Sequence, residues 1–142
     1  MMLQELFNSD FCTISFNKSQ QNIQIAWQTP PVAIENQDFK DSLSQLVLVI
    51  EAYQPVSLII NAEYFNFTIE PELQEWYQQN IITKYLEANI KKIGIIKPQD
   101  FVTGLSMEQM FKAVVSSGKI SLSFFNDIDA VNDWLNEQEI AA

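Results

Sequence analysis

The chain contains no histidine and no arginine. Losing histidine removes the commonest general base, a favoured metal ligand and the side chain that ordinarily titrates near neutrality. Ser–His and Cys–His nucleophiles are excluded with it. Without arginine there is no guanidinium fork for a bidentate grip on phosphate or carboxylate, since all eight basic residues are lysines. Cysteine occurs once, at Cys12, so no internal disulfide can form. Glycine occurs three times, and neither a Gly-x-Gly-x-x-Gly run nor a Gly-Lys-Ser/Thr phosphate loop is present. No apolar run approaches the roughly 18 residues of a membrane span. The opening MMLQELFNSDF lacks the basic and apolar segments of a signal peptide, and a cytoplasmic location is the expectation.

What is present describes a globular chain. Its 142 residues fit a single domain, residues 1–142, and 47% apolar with 18% charged residues is enough to build a core. The net charge of −10 disfavours nucleic acid and anionic lipid surfaces as partners, because both demand clustered positive charge, and no nucleic-acid partner is expected. The only basic pair, Lys91-Lys92, opens a predicted strand and reads as a solvated edge.

The organising stretch runs from Pro55 to Tyr77. The run Val56–Ile60, interrupted only by Ser57, predicts a strand buried on both faces at the centre of a parallel sheet. Before it, Cys12, Ile14 and Phe16 alternate with Thr13 and Ser15, and Ile23, Ile25 and Trp27 repeat the pattern after a polar turn. This predicts an antiparallel hairpin, stopped by Pro30-Pro31. Cys12 is then a small core residue rather than a reactive thiol. From Asn36, a candidate N-cap, the residues Phe39, Leu43, Leu46, Val47 and Ile50 recur at helical spacing up to Pro55.

Beyond the central strand, Leu73, Trp76, Tyr77, Ile81, Tyr85 and Leu86 predict a second helix. Pro71 sits in its first turn, Thr68 is a candidate cap before it and Asn89 a candidate C-cap after it. Ile93-Gly94-Ile95-Ile96 is a further strand. Ser106-Met107-Glu108-Gln109 has the form of a capping box and opens a third helix that buries Met110, Phe111, Val114 and Val115 and ends at Gly118. Ile120, Leu122 and Phe124 alternate with serines as an edge strand would. Asn126 then caps a final helix with Val131, Trp134 and Leu135, fraying after Glu137. The order is β-β-α-β-α-β-α-β-α, an α/β fold with a mainly parallel five-stranded sheet, an N-terminal antiparallel hairpin and four helices.

These elements resemble the SpoIIAA-like fold of STAS and SEC14-type (CRAL-TRIO) domains, and the small bacterial proteins of unknown function within that group. The resemblance rests on Trp76, on Lys91-Lys92-Ile93-Gly94-Ile95-Ile96, on Ser106-x-x-Gln109-x-Phe111, on Phe125-Asn126-Asp127 and on Val131-x-x-Trp134-Leu135. It implies a protein-interaction or regulatory module, with a SEC14-like carrier or sensor of a small apolar ligand or lipid as the alternative. STAS domains that antagonise anti-sigma factors carry an Asp-Ser pair after the third strand. Here that place reads Asn61-Ala62-Glu63-Tyr64-Phe65-Asn66-Phe67-Thr68, so the phosphorylation motif is missing and Thr68 is the only hydroxyl near it.

Ligands of open parallel sheets sit beyond the carboxyl ends of the strands. That edge collects Tyr64, Phe65, Asn66, Phe67 and Thr68 from one loop and Asp100 and Phe101 from the next, with Asn126 beyond. These are the candidate residues for a ligand or a protein partner, a second copy of the chain included. Folding of the aromatics back over the core is the stronger expectation. The carboxylates Glu70, Glu72 and Glu75, like Asp127, Asp129 and Asp133, read as solvated helix ends that complement the helix dipole. No catalytic residue, metal ligand or cofactor is expected.

Overall fold

The computed structural model describes residues 3–30 and 32–141. Six strands form one sheet in sequential order: β1 (Leu3–Asn8), β2 (Cys12–Asn17), β3 (Asn22–Trp27), β4 (Ser57–Asn61), β5 (Lys92–Ile96) and β6 (Ser121–Phe125). The first three are antiparallel neighbours, and β3 to β6 run parallel. The α/β class, the hairpin and the central place of β4 are as the sequence predicts; β1 is an additional strand. Its pairing with β2 shifts register between Glu5 and Phe7. That irregularity sets the partly buried Leu6 and Phe7 side by side and removes the period-2 signal that would betray a strand.

The β2–β3 turn is held by Asn17, whose Oδ1 accepts from Ser19 Oγ (2.9 Å) and the Gln20 amide (3.2 Å). Gln21 supplies the left-handed residue at φ 54°. Of the two prolines expected to stop β3, Pro30 follows it and Pro31 lies outside the described residues.

Helix α1 (Asn36–Tyr53) buries Phe39, Leu43, Leu46 and Ile50 against the sheet. Its N-cap is Glu35, one residue before Asn36, and the Glu35 amide donates to Asp38 Oδ2 at 2.9 Å. The second predicted helix is one rod in three parts: α2 (Pro71–Tyr77), a π-helical turn (Gln78–Ile82) and α3 (Thr83–Glu87). Pro71 stands in the first turn as expected. Glu70 rather than Thr68 is the N-cap, and Ala88 rather than Asn89 the C-cap. Eight residues of regular α-helix would leave positions 77 and 85 about 80° apart. The slower rotation of the π turn turns both towards the core together with Ile81 and Ile82.

The third helix begins five residues before Ser106, as α4 (Phe101–Met110), because Asp100 caps it. A break at Phe111 leads into α5 (Lys112–Ser117), which ends at the left-handed Gly118 (φ 69°). The break shifts the helical phase, so Val114 stays buried while Val115, expected inside, is exposed. Helix α6 (Ile128–Ala141) continues past Glu137, and Asp127 rather than Asn126 caps it, accepting from the Ala130 amide at 2.9 Å.

Two apolar layers flank the sheet. Alternate residues of the central strands (Leu58, Ile60, Ile93, Ile95) pack under α1 to α5. Ile59 and Ile96 face the other way, onto Val131 and Leu135 of α6. Lys92 also belongs to that second layer and is not a solvated edge. It is buried, with Nζ donating to the carbonyls of Trp134 (2.8 Å) and Leu135 (3.1 Å) and lying 4.5 Å from the Trp134 ring centroid. Those contacts give the ammonium partners inside an otherwise apolar layer. Among the described residues no helix is long and apolar enough to cross a membrane.

Within the larger layer the Tyr77 and Tyr85 hydroxyls share a 2.8 Å hydrogen bond. Burial pushes both phenols up. Tyr77→Phe leaves the Tyr85 hydroxyl buried and unpaired and is expected to cost about 1–3 kcal/mol in urea unfolding, whereas Tyr77→Phe/Tyr85→Phe should regain most of that loss. Equal losses in the single and double variants would sink this account. The linkage has a definite sign. Above the ordinary phenol pKa of about 10 the unfolded chain loses protons that the folded chain keeps, so stability should fall as pH rises from there. In alkaline unfolding, the Tyr77→Phe/Tyr85→Phe variant should show a shallower fall than the parent.

Candidate functional site

Beyond the carboxyl ends of β3, β4 and β5 lies an open cleft of about 520 Å³. That volume falls in the range of small-ligand and side-chain pockets. Four connections make it: the β1–β2 turn through Phe11, and the loops leaving β3, β4 and β5. Two backbone bonds tie the loop leaving β4 to its neighbours, and one side-chain bond holds it to the end of β4. The Ala62 amide donates to Ile96 O (3.0 Å), the Gln99 amide to Glu63 O (3.3 Å), and the Glu63 amide to Asn61 Oδ1 (3.2 Å). These ties hold the mouth of the cleft to strand ends rather than to mobile tips.

The floor is aromatic. Phe65 is buried and meets Trp27 edge-on at 5.0 Å between centroids, while Trp27 stacks on Phe39 at 5.7 Å. Tyr64, next in the chain to Phe65, is 52% exposed and forms part of the wall. Gln28 closes the far side, its side-chain Nε2 donating to Ser9 O and Thr13 Oγ1, both at 3.0 Å. Among the described residues two carboxylates line the cleft, Glu63 and Asp100, and no lysine does. Asp100 is held below the usual carboxylate range by the Thr103 amide (2.8 Å) and then by its hydroxyl (2.7 Å), so it is an anion at neutral pH.

The sequence-derived candidates divide. Tyr64, Phe65, Asn66 and Asp100 come together in the cleft. Phe67 turns inward onto Phe39, with ring centroids 5.7 Å apart. Thr68 is exposed, and Asn126 is exposed outside the cleft lining. Phe101 stands beside the cleft as the chain neighbour of Asp100 and is 76% exposed, with Val102 at 61% and Leu105 at 45% on the same first turns of α4. The expectation that the loop aromatics cover the core holds for Phe65 and Phe67 and fails for Tyr64 and Phe101.

No protein-family model matches the chain, and neither does any curated protein or solved structure.

Sequence reasoning left out the β3 side of the cleft: Phe11, Trp27, Gln28 and Ile34. The rule that gathered the other loops applies equally to the loop after β3. Trp27 read as a core residue at a strand end, and Pro30-Pro31 as a stop, so this loop was not counted with the rest. The remaining chemistry is sparse. Cys12 is fully buried, and burial pushes its thiol up against the smaller opposing effect of hydrogen bonds with Ser42 and Ser9. Glu70, Glu72, Glu75, Asp127, Asp129 and Asp133 are all exposed, the first two and Asp127 and Asp129 at helix starts, Glu75 and Asp133 further along α2 and α6.

Proposed function

We propose that this chain is a non-enzymatic, cytoplasmic interaction module of SpoIIAA-like, STAS type, engaging a basic, partly apolar segment of a protein partner. The observation that carries the reading is the pairing of surfaces at one sheet edge. An aromatic-floored cleft with Glu63 and Asp100 on its lining adjoins the exposed Phe101, Val102 and Leu105. Exposed apolar residues rimmed by polar ones mark association sites, and an acidic cleft favours a cationic side chain over an anionic one. The sequential β–α order after an antiparallel start supports the SpoIIAA-like assignment. A phosphorylation switch at Thr68 has less support, because Thr68 caps no helix. A lipid chain enclosed in the core also has less, since the void among Ile25, Leu46, Tyr77 and Met107 is only about 10 Å³.

Selection from a random peptide display library tests this. Enriched peptides should combine Lys or Arg with apolar residues and shift the amide resonances of Tyr64, Asn66, Gln99 and Phe101. Binding should weaken at least about tenfold in Phe101→Ser and in Glu63→Gln/Asp100→Asn; one lost charged contact of about 1.4 kcal/mol gives that factor. Asparagine is itself a good N-cap, so the second variant keeps α4 folded. Acidic or charge-indifferent peptides, or binding untouched by both variants, would overturn the proposal.

A further inference from the structure

We infer that two copies of this chain pair through β6, edge to edge and antiparallel, into a continuous twelve-stranded sheet. The inference stands apart from the cleft, whose lining includes no residue of β6. Among the described residues, β1 and β6 each have one neighbour in the sheet. Natural edges are blunted by charge, proline or a bulge. The β1 edge has two of these devices, Glu5 and the register shift beside it. The β6 edge, Ser121-Leu122-Ser123-Phe124-Phe125, has neither charge nor proline, and its pairing with β5 runs in unbroken register.

The backbone directions decide which groups are open. The Ser121 amide donates to Lys91 O (3.0 Å) and Phe125 O accepts from the Lys97 amide (2.9 Å), so both residues turn their polar groups towards β5. Strand alternation then turns the N–H and C=O of Leu122 and Phe124 outwards. A two-fold axis at Ser123 sets Leu122 opposite Phe124 of the partner copy, and each such pair exchanges two hydrogen bonds. Four inter-chain bonds result. Leu122 and Phe124 both pack on the larger apolar layer, so the new cross-strand pairs continue it.

Charge fits the same register. A chain of net charge −10 repels its own copy, and the contact has to be locally favourable. The strand itself is uncharged. Exposed Lys119 precedes the strand and exposed Asp127 follows it, so the antiparallel arrangement sets the Lys119 end of one copy beside the Asp127 end of the other, twice. The partner that fits this edge is therefore the same edge.

Native mass spectrometry and light scattering on the full chain at tens of micromolar should give twice 16.4 kDa. Amide exchange should show Leu122 and Phe124 protected, with protection lost on dilution. Ser123→Lys and Ser123→Glu each place like charges across the axis and should each be monomeric, while an equimolar mixture should recover a heterodimer. The recovery separates lost pairing from lost folding. A monomeric parent overturns the inference. So does a dimer whose Leu122 and Phe124 amides exchange freely, or one that forms unchanged in both Ser123 variants.

Discussion

Replacing Phe39 by alanine should cost about 3–5 kcal/mol in urea unfolding, the range for deleting a buried phenylalanine ring. Small domains hold about 5–15 kcal/mol in total, so this one substitution removes a large share of the stability. The size follows from position. Phe39 projects from the first turn of α1 into the larger apolar layer, and its ring centroid lies 5.7 Å from Trp27, 5.9 Å from Phe65, 5.7 Å from Phe67 and 6.2 Å from Tyr77. Those four rings come from β3, the loop after β4, and α2. Removing the ring at their centre opens a cavity that rigid aromatic planes fill poorly. Phe39→Leu keeps part of the volume and should lose less than half as much. The midpoint should fall while the urea dependence stays that of the parent, since the surface exposed on unfolding barely changes. Trp27 and Phe65 are also the floor of the cleft, so Phe39→Ala should weaken peptide binding even where the chain is fully folded. A loss below about 1 kcal/mol would mean that the surrounding rings close over the gap and are not tightly packed around Phe39.

The strands that alternate were readable from sequence, and so were the helices with a long apolar stripe. Both signals come from burial on one face, which the residues themselves record. The failures are equally local. Leu6 and Phe7 lie next to each other across an irregular register, so no period announces β1. Asp100-x-x-Thr103 and Ser106-x-x-Gln109 both have the form of a helix start, and only the turn leaving β5 decides for the first. Lys92 looked solvated because lysine usually is. Its burial depends on where the carbonyls of Trp134 and Leu135 arrive, forty residues later in the chain, which no local pattern can report. The candidate site was half legible for the same reason. Tyr64, Phe65, Asn66 and Asp100 follow from the sheet-edge rule. The β3 wall was hidden because Trp27 reads as a core residue and Pro30-Pro31 as a strand stop, although β3 runs parallel to β4 and ends at the same edge.

Gly94→Val should be the second most damaging change, at about 3 kcal/mol, the upper end of typical overpacking costs. The sign is informative, because glycine is a poor strand residue and valine a good one. At an open strand position the exchange would stabilise. Here a Cβ on Gly94 would stand 2.8 Å from Val131 Cγ1, 3.6 Å from a Trp134 ring carbon and 3.8 Å from Phe125. Val131 is fully buried and β-branched, so its methyl has nowhere to rotate without meeting the sheet. Helix α6 must therefore lift, and lifting it exposes Ile59, Ile96 and Leu135 and draws the Trp134 and Leu135 carbonyls from the Lys92 ammonium. Gly94→Ala carries the same first contact and should cost less, about 1–2 kcal/mol. Val131→Ala removes the atom the new Cβ meets. Gly94→Ala/Val131→Ala should then be more stable than the sum of its single changes by about 1 kcal/mol or more, a coupling that only direct contact produces. Strict additivity would place the damage elsewhere and overturn the claim that Gly94 is the seat of α6.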